Sequence, residues 1–116
     1  MYKVMAFISR KPGISKEEFR AYYESNHIRL IADVAPSMAT YRRNYINFGD
    51  PFLRNEEKID FDVVTEMLFN DRAECERWFE AFGEPASLAR VIDDESKFID
   101  VATVRVCPVD VEDAQF

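Results

Sequence analysis

Residues 2–34, YKVMAFISRKPGISKEEFRAYYESNHIRLIADV, carry the clearest signals of secondary structure in the chain. Tyr2–Arg10 alternates apolar residues and carries further large apolar groups at the intervening positions, which predicts a β-strand covered on both faces. Lys11-Pro12-Gly13 ends this strand. Ser15 then begins a helix, because Glu18 three residues later completes a capping box.

Within this helix, side chains at three- and four-residue spacings form one stripe that we expect to face the interior. Pro36 ends the helix, since the residue before a proline disfavours helical backbone. The members of the stripe are Phe19, Tyr22, Tyr23, Asn26, His27, Leu30 and Val34.

Three more strands are predicted from runs of β-branched and aromatic residues, at Ala39–Asn47, Phe61–Phe69 and Phe98–Cys107. Asn70 or Asp71 caps a second helix after the third strand. The inner face of that helix carries Cys75, Trp78, Phe79 and Phe82. A short helix is expected at Pro85–Val91, followed by a turn at Asp93–Glu95.

The order β-α-β-β-α-β predicts an α+β fold of the ferredoxin-like type, with a four-stranded antiparallel sheet. Helices cover only one face of such a sheet, yet the strands are apolar on both parities. The second face therefore needs cover, which predicts a homodimer packed sheet to sheet as a dimeric α+β barrel. The domain is expected at residues 1–108, with an acidic C-terminal tail at 109–116.

Composition restricts the range of functions. The 116 residues fit one domain, and the net charge of −7 disfavours partners with anionic backbones or headgroups. We therefore expect no nucleic-acid partner and no membrane association. The N-terminus lacks the features of a signal peptide, and Cys75 and Cys107 have no metal-ligand spacing, which predicts reduced thiols in a cytoplasmic protein.

Several motifs of the sequence resemble those of the EthD-like family of dimeric α+β barrel proteins. The resemblance is carried by Arg10–Gly13 (RKPG), Ser15–Phe19 (SKEEF), Tyr22-Tyr23 and Asn26-His27. Phe61–Phe69 (FDVVTEMLF) is also similar to the third strand of that family, with Leu68 where a tryptophan is expected.

The resemblance implies the fold, dimerisation and a pocket between sheet and helices. Its relatives include polyketide cyclases, cofactor-free quinone-forming monooxygenases, muconolactone isomerases, dehydratases and members without an assigned activity. A shared fold does not determine the reaction.

His27 is the single histidine, and its side chain titrates near neutral pH without a large shift. Its place on the apolar stripe, together with the resemblance, favours a general acid/base facing a pocket. The alternative is a hydrogen-bonded histidine that closes the helix.

Glu66 lies in the middle of the third strand, where an unpaired carboxylate is costly. One hypothesis makes it a second catalytic group with a raised pKa, or the residue that orients His27. The other makes it a structural ion pair with Arg42 or Arg43, or a charge within the dimer interface.

The remaining candidates form the wall of the expected pocket. Tyr23 is a candidate catalytic hydroxyl that stabilises a developing oxyanion. Ordinary core packing is the alternative for each ring. The candidate substrate-binding residues are Tyr22, Asn26, Tyr41, Phe7 and Phe82.

No cofactor and no metal are expected. The chain has three glycines and no phosphate-binding loop, and one histidine does not make a usual metal centre. The leading hypothesis is a cofactor-independent acid/base enzyme acting on a small aromatic, polyketide-like or lactone substrate by cyclisation, dehydration or isomerisation. The alternatives are a cofactorless monooxygenase and a ligand-binding accessory protein without catalysis.

Overall fold

A computed structural model describes all of residues 1–116. The strands are β1 (Tyr2–Ile8), β2 (Thr40–Tyr45), β3 (Val63–Phe69) and β4 (Arg105–Val109). The helices are α1 (Lys16–Tyr22), α2 (Ile28–Val34), α3 (Arg72–Phe82) and α4 (Pro85–Glu95), with a π-helical turn at Tyr23–His27 and 3₁₀ turns at Glu56–Lys58 and Val101–Thr103. None of these helices combines the length and the apolar character that a membrane-spanning helix needs.

The four strands form one antiparallel sheet in the order β2-β3-β1-β4. This confirms the predicted α+β ferredoxin-like fold. Val4, Ala6 and Ile8 of β1 and Thr65 of β3 are buried on the face that the helices cover. The intervening residues point to the opposite face, which has no covering layer in the single chain and is called the open face below.

The last strand begins later than the sequence predicts. Phe98 and Ile99 are buried core residues, and Ile99 makes only an isolated bridge with Arg10. The 3₁₀ turn at Val101–Thr103 then separates them from β4. The strand also extends through Val109, which pairs with Lys3, so the sheet reaches one residue into the predicted tail.

The first helical segment begins as predicted. Ser15 Oγ accepts a hydrogen bond from the Glu18 N–H at 3.0 Å, and the Ser15 N–H donates to Glu18 Oε1 at 3.2 Å. The π-helical turn lies between α1 and α2, and such turns are frequent at functional sites.

The expected turn at Asp93–Glu95 is wrong, because these residues form the last part of α4. Val91 and Asp94, three residues apart, are both buried on the inner face of that helix. The acidic run Asp93-Asp94-Glu95 suggests a solvated turn, but tertiary contacts of Asp94 offset the cost of burying its carboxylate.

Candidate functional site

His27 lies in the π-helical turn and its side chain is almost completely enclosed, with 4% of its surface exposed. Its ring packs against Tyr23 at a centroid distance of 5.0 Å and against Phe98 at 5.1 Å. The imidazole is thus held between the first helical segment and the segment that follows α4.

Asp94 is the direct partner of His27. Its Oδ2 lies 2.6 Å from His27 Nδ1, and its Oδ1 accepts a hydrogen bond from the Tyr22 hydroxyl at 2.9 Å. Both carboxylate oxygens are therefore engaged, which holds the carboxylate in one orientation. The result is a buried Asp–His pair supported by a tyrosine.

Burial lowers the pKa of His27 below its usual value of 6.5, although the hydrogen bond and charge of Asp94 act in the opposite direction. The imidazole is therefore mainly neutral at pH 7. Because Nδ1 faces a carboxylate, the neutral ring carries its proton there and donates it to Asp94.

This tautomer leaves a lone pair on His27 Nε2. Nε2 has no hydrogen-bond partner in the chain. It nevertheless keeps some contact with solvent, because Trp78 Nε1 is the only fully buried side-chain nitrogen or oxygen that lacks a partner. A neutral imidazole with one nitrogen held by a carboxylate and the other unbonded is the arrangement of a general base.

A second set of hydroxyls lies beside this pair. The Tyr23 hydroxyl is 2.8 Å from the Tyr41 hydroxyl and 2.8 Å from Thr65 Oγ1. Burial raises the pKa of both Tyr23 and Tyr41, so both phenols stay protonated near neutral pH and remain able to donate hydrogen bonds.

The structure brings together four of the residues singled out from the sequence, namely His27, Tyr22, Tyr23 and Tyr41. The sequence interpretation missed Asp94. Asp94 and Phe98 follow Val91 by three and seven residues, which is the spacing of one helix face. This spacing is the signal that could have identified Asp94 as an inward-facing residue.

Glu66 does not orient His27, because it lies on the open face of the sheet. Its carboxylate is 2.8 Å from Lys3 Nζ, accepts a hydrogen bond from Asn44 Nδ2 at 2.9 Å and lies 3.7 Å from Arg42. The hydrogen bond from Lys3 is the main cause that lowers the pKa of Glu66. The hypothesis of a catalytic Glu66 with a raised pKa is therefore wrong, and the ion pair with Arg42 that the alternative hypothesis predicted is present.

Of the other three residues, Phe7 and Phe82 pack elsewhere, whereas Asn26 is the residue before His27 in the chain. Phe7 is on the open face, where its ring packs against Phe61 at 5.2 Å. Asn26 belongs to the π-helical turn and is exposed to solvent. Phe82 stacks on Trp78 at 5.0 Å near the end of α3.

An apolar groove lies near the hydroxyl set. It has a volume of about 300 Å³ between α2, the segment before β2, and α3. We call it the α2–Trp78 groove, and its lining is Ile28, Ile31, Ala32, Ala35, Pro36, Ser37, Met38, Tyr41 and Trp78. No three His, Cys, Asp or Glu side chains come together in an arrangement that could hold a metal ion.

The sheet, its one layer of helices and the buried Asp–His pair define a small ferredoxin-like α+β domain with the elements of an acid/base site. The family model of the EthD domain matches residues 11–102. The chain therefore belongs to the EthD domain family.

Solved structures share this fold. An ethyl tert-butyl ether D (EthD) family protein from Bacillus halodurans has a TM-score of 0.63 at 18% identity, covering 97% of this chain and 100% of its own. The At3g17210 protein from Arabidopsis thaliana has a TM-score of 0.62 at 17% identity, with both chains covered completely. HapK from Hahella chejuensis has a TM-score of 0.60 at 12% identity, covering 100% of this chain and 98% of its own. No curated protein sequence matches the chain.

Proposed function

We propose that this protein is an acid/base enzyme that removes and returns a proton next to a carbonyl group in a small, largely apolar molecule. The observation that carries the proposal is the 2.6 Å contact between His27 Nδ1 and Asp94 Oδ2. A carboxylate that holds one imidazole nitrogen selects the tautomer whose other nitrogen accepts a proton.

The chemical step uses His27 as the base. Nε2 takes the proton from the carbon beside the carbonyl, the C–H bond breaks, and its electron pair moves towards the carbonyl oxygen. Asp94 stabilises the imidazolium that forms, and a protonated tyrosine hydroxyl stabilises the oxyanion. The imidazolium then delivers the proton to a different carbon of the conjugated system, which completes an isomerisation. Alternatively, it delivers the proton to a hydroxyl on the next carbon, and the C–O bond breaks to release water as the enolate electrons form a C=C bond and restore the carbonyl, which completes a dehydration.

The substrate class follows from the surroundings of the site. Aromatic rings enclose His27, and most of the residues that line the α2–Trp78 groove are apolar. Such walls favour an aromatic, polyketide-like or lactone molecule over a sugar or a nucleotide. The proposal requires no metal and no organic cofactor, because His27 carries the proton that moves, and Asp94 and a tyrosine hydroxyl stabilise the charges that form.

Exchange of the methyl protons of acetophenone in D₂O is the minimal test of this reaction. We expect the protein to accelerate incorporation of deuterium, measured by ¹H NMR, and Asp94→Asn to lose most of the acceleration. Asp93→Asn is the matched control, because Asp93 is the exposed neighbour of Asp94 on the same helix. Equal rates for all three proteins, or none above buffer, would contradict the proposal.

We also propose that the enzyme is a homodimer joined through the open face. Met5, Phe7 and Leu68 are only half-buried there in the single chain, and no helix covers them. A second copy packed on this face would remove these apolar groups from water.

Cys75 and Cys107 are both unpaired thiols, which supports the proposal that the enzyme works in the reducing cytoplasm.

A further inference from the structure

One residue that lines the α2–Trp78 groove, Trp78, carries a buried hydrogen-bond donor without an acceptor in the chain. Trp78 is 96% buried, since 4% of its surface is exposed, and its Nε1–H has no acceptor. Indole N–H groups in protein interiors usually have a partner, and leaving one without is costly. Trp78 lines the groove, so an acceptor that enters there can meet this need.

The hydroxyl set beside the groove supplies a second spare donor. Tyr41, Tyr23 and Thr65 contain three O–H groups, and two hydrogen bonds join them in a row. Each bond uses one proton, so one O–H at an end of the row has no acceptor within it. Thr65 is 1% exposed, whereas Tyr41 lines the groove, which favours the order Thr65 to Tyr23 to Tyr41 with the free proton on Tyr41.

The rest of the groove is apolar. Seven of its nine lining residues are hydrophobic, and Ile28, Ile31 and Met38 are among them. A ligand that fits these surroundings has an apolar body and one oxygen that accepts hydrogen bonds. A charged ligand is disfavoured, because no ionisable side chain other than the Tyr41 phenol lines the groove.

We infer that the α2–Trp78 groove binds an apolar molecule through a carbonyl oxygen that accepts hydrogen bonds from Trp78 Nε1 and Tyr41. The inference deepens the proposed function and rests on it for the link to catalysis. Tyr23 provides that link, since its hydroxyl touches Tyr41 and its ring packs on His27 at 5.0 Å. Trp78 becomes a ligand-binding residue in addition to a core residue.

The single tryptophan makes the test unambiguous, because ¹⁵N-labelled protein gives one indole N–H peak. The probes are acetophenone and isopropylbenzene, which share a skeleton and differ in that a methyl group replaces the carbonyl oxygen. We expect acetophenone to shift the indole proton downfield in a saturable way, as a new hydrogen bond requires. Isopropylbenzene should produce no downfield shift.

Two variants show where the probe binds. Tyr41→Phe keeps the ring and removes one donor, so acetophenone should bind about 3- to 10-fold more weakly, as expected for one neutral hydrogen bond. Ala32→Phe places a ring in the groove and should abolish the indole shift. Ala21→Phe is the matched control, since Ala21 is exposed on α1 outside the groove lining, and it should bind as the wild type does.

The inference is overturned by a downfield shift of equal size with both probes, by its persistence in Ala32→Phe, or by its absence with acetophenone. These measurements require no turnover. Asp94→Asn that still binds acetophenone but no longer exchanges its protons supports both the groove and the proposed function. Wild-type protein that binds acetophenone without exchange contradicts the proposed function alone.

Discussion

The two faces of the sheet differ in the charge state of their titratable side chains: one carries a neutral histidine and the other a charged carboxylate. On the helix side, His27 is enclosed by aromatic rings, and burial lowers its pKa so that it is neutral. On the open face, Glu66 keeps its charge, because Lys3 and Arg42 lie beside it and Lys3 lowers its pKa. A proton acceptor near neutral pH is therefore available on the helix side, whereas the carboxylate of Glu66 is already compensated.

The largest expected effect tests this difference directly. His27→Ala should lower the rate of acetophenone proton exchange by about 10²- to 10⁴-fold, the usual contribution of a general base. Glu66→Gln should keep the wild-type rate, because Glu66 and its ion-pair partners lie on the open face, away from His27. Exchange is measured by ¹H NMR on variants whose folding is verified by circular dichroism.

If His27→Ala fails to fold, His27→Gln is the second variant, because its amide fills more of the space and can still donate to Asp94. A folded His27 variant with the wild-type rate would place catalysis elsewhere. A loss in Glu66→Gln as large as that in His27→Ala would remove the contrast between the two faces.

The next effect concerns stability. Asp94→Asn should lower the free energy of unfolding by about 1–3 kcal/mol, because a buried hydrogen bond to a charged group is lost or reversed. Asp93→Asn should change it by less than about 0.5 kcal/mol, as for most exposed substitutions. Urea unfolding of both variants measures the difference, and equal values for the two would show that Asp94 does not stabilise the site.

A smaller effect is expected from pH. The folded protein holds the pKa of His27 below the unfolded value of about 6.5. The unfolded chain therefore binds more protons in this window, and the stabilising contribution of neutral His27 is present above pH 6.5. It is lost as pH falls through the folded pKa, with a slope of at most about 1.4 kcal/mol per pH unit.

Urea unfolding between pH 7.5 and 5.5 measures this slope, and NMR titration of the single imidazole gives the folded pKa. His27→Gln should flatten the curve over the same range. In Asp94→Asn the pKa should fall further, because the negative charge that raises it is removed while burial remains. A folded pKa above 6.5 would contradict the proposed balance.

The smallest effect on the fold of the single chain is expected on the open face. Leu68→Lys should separate the proposed dimer and leave the circular dichroism spectrum unchanged, because Leu68 contributes to no buried core. Light scattering should give twice the monomer mass of 13.6 kDa for the wild type and a value near 13.6 kDa for the variant. Leu88→Lys on α4 is the control, and a wild-type mass of 13.6 kDa would refute the dimer.

Local signals predicted much of the architecture. The capping box of Ser15 and Glu18 forms as expected, and the apolar stripe correctly places Phe19, Tyr23 and His27 inside. Asn26 was placed wrongly, since it is exposed although its spacing puts it on the stripe. The spacing does not separate the centre of the stripe, where Tyr23 and His27 lie, from a position at its edge.

The site was predicted only in part for a different reason. His27 and its tyrosines follow from one helix, so their spacing identifies them. Asp94 is 67 residues from His27 in the sequence. The spacing from Val91 could mark Asp94 as buried, but no local pattern shows that its partner is His27. Glu66 was recognised as an unusual mid-strand carboxylate, but its face depends on pairing with β1 and β2.

Periodicity and turn chemistry act between residues a few positions apart, so they were enough to predict the order of strands and helices, the fold class and the buried position of His27. The folded chain was needed to show that Asp94 is the partner of His27, that Glu66 lies on the opposite face, and that Trp78 and Tyr41 share a groove. These relations join residues far apart in the chain, and they arise only when α4 packs beside the first helical segment and the strands take their register.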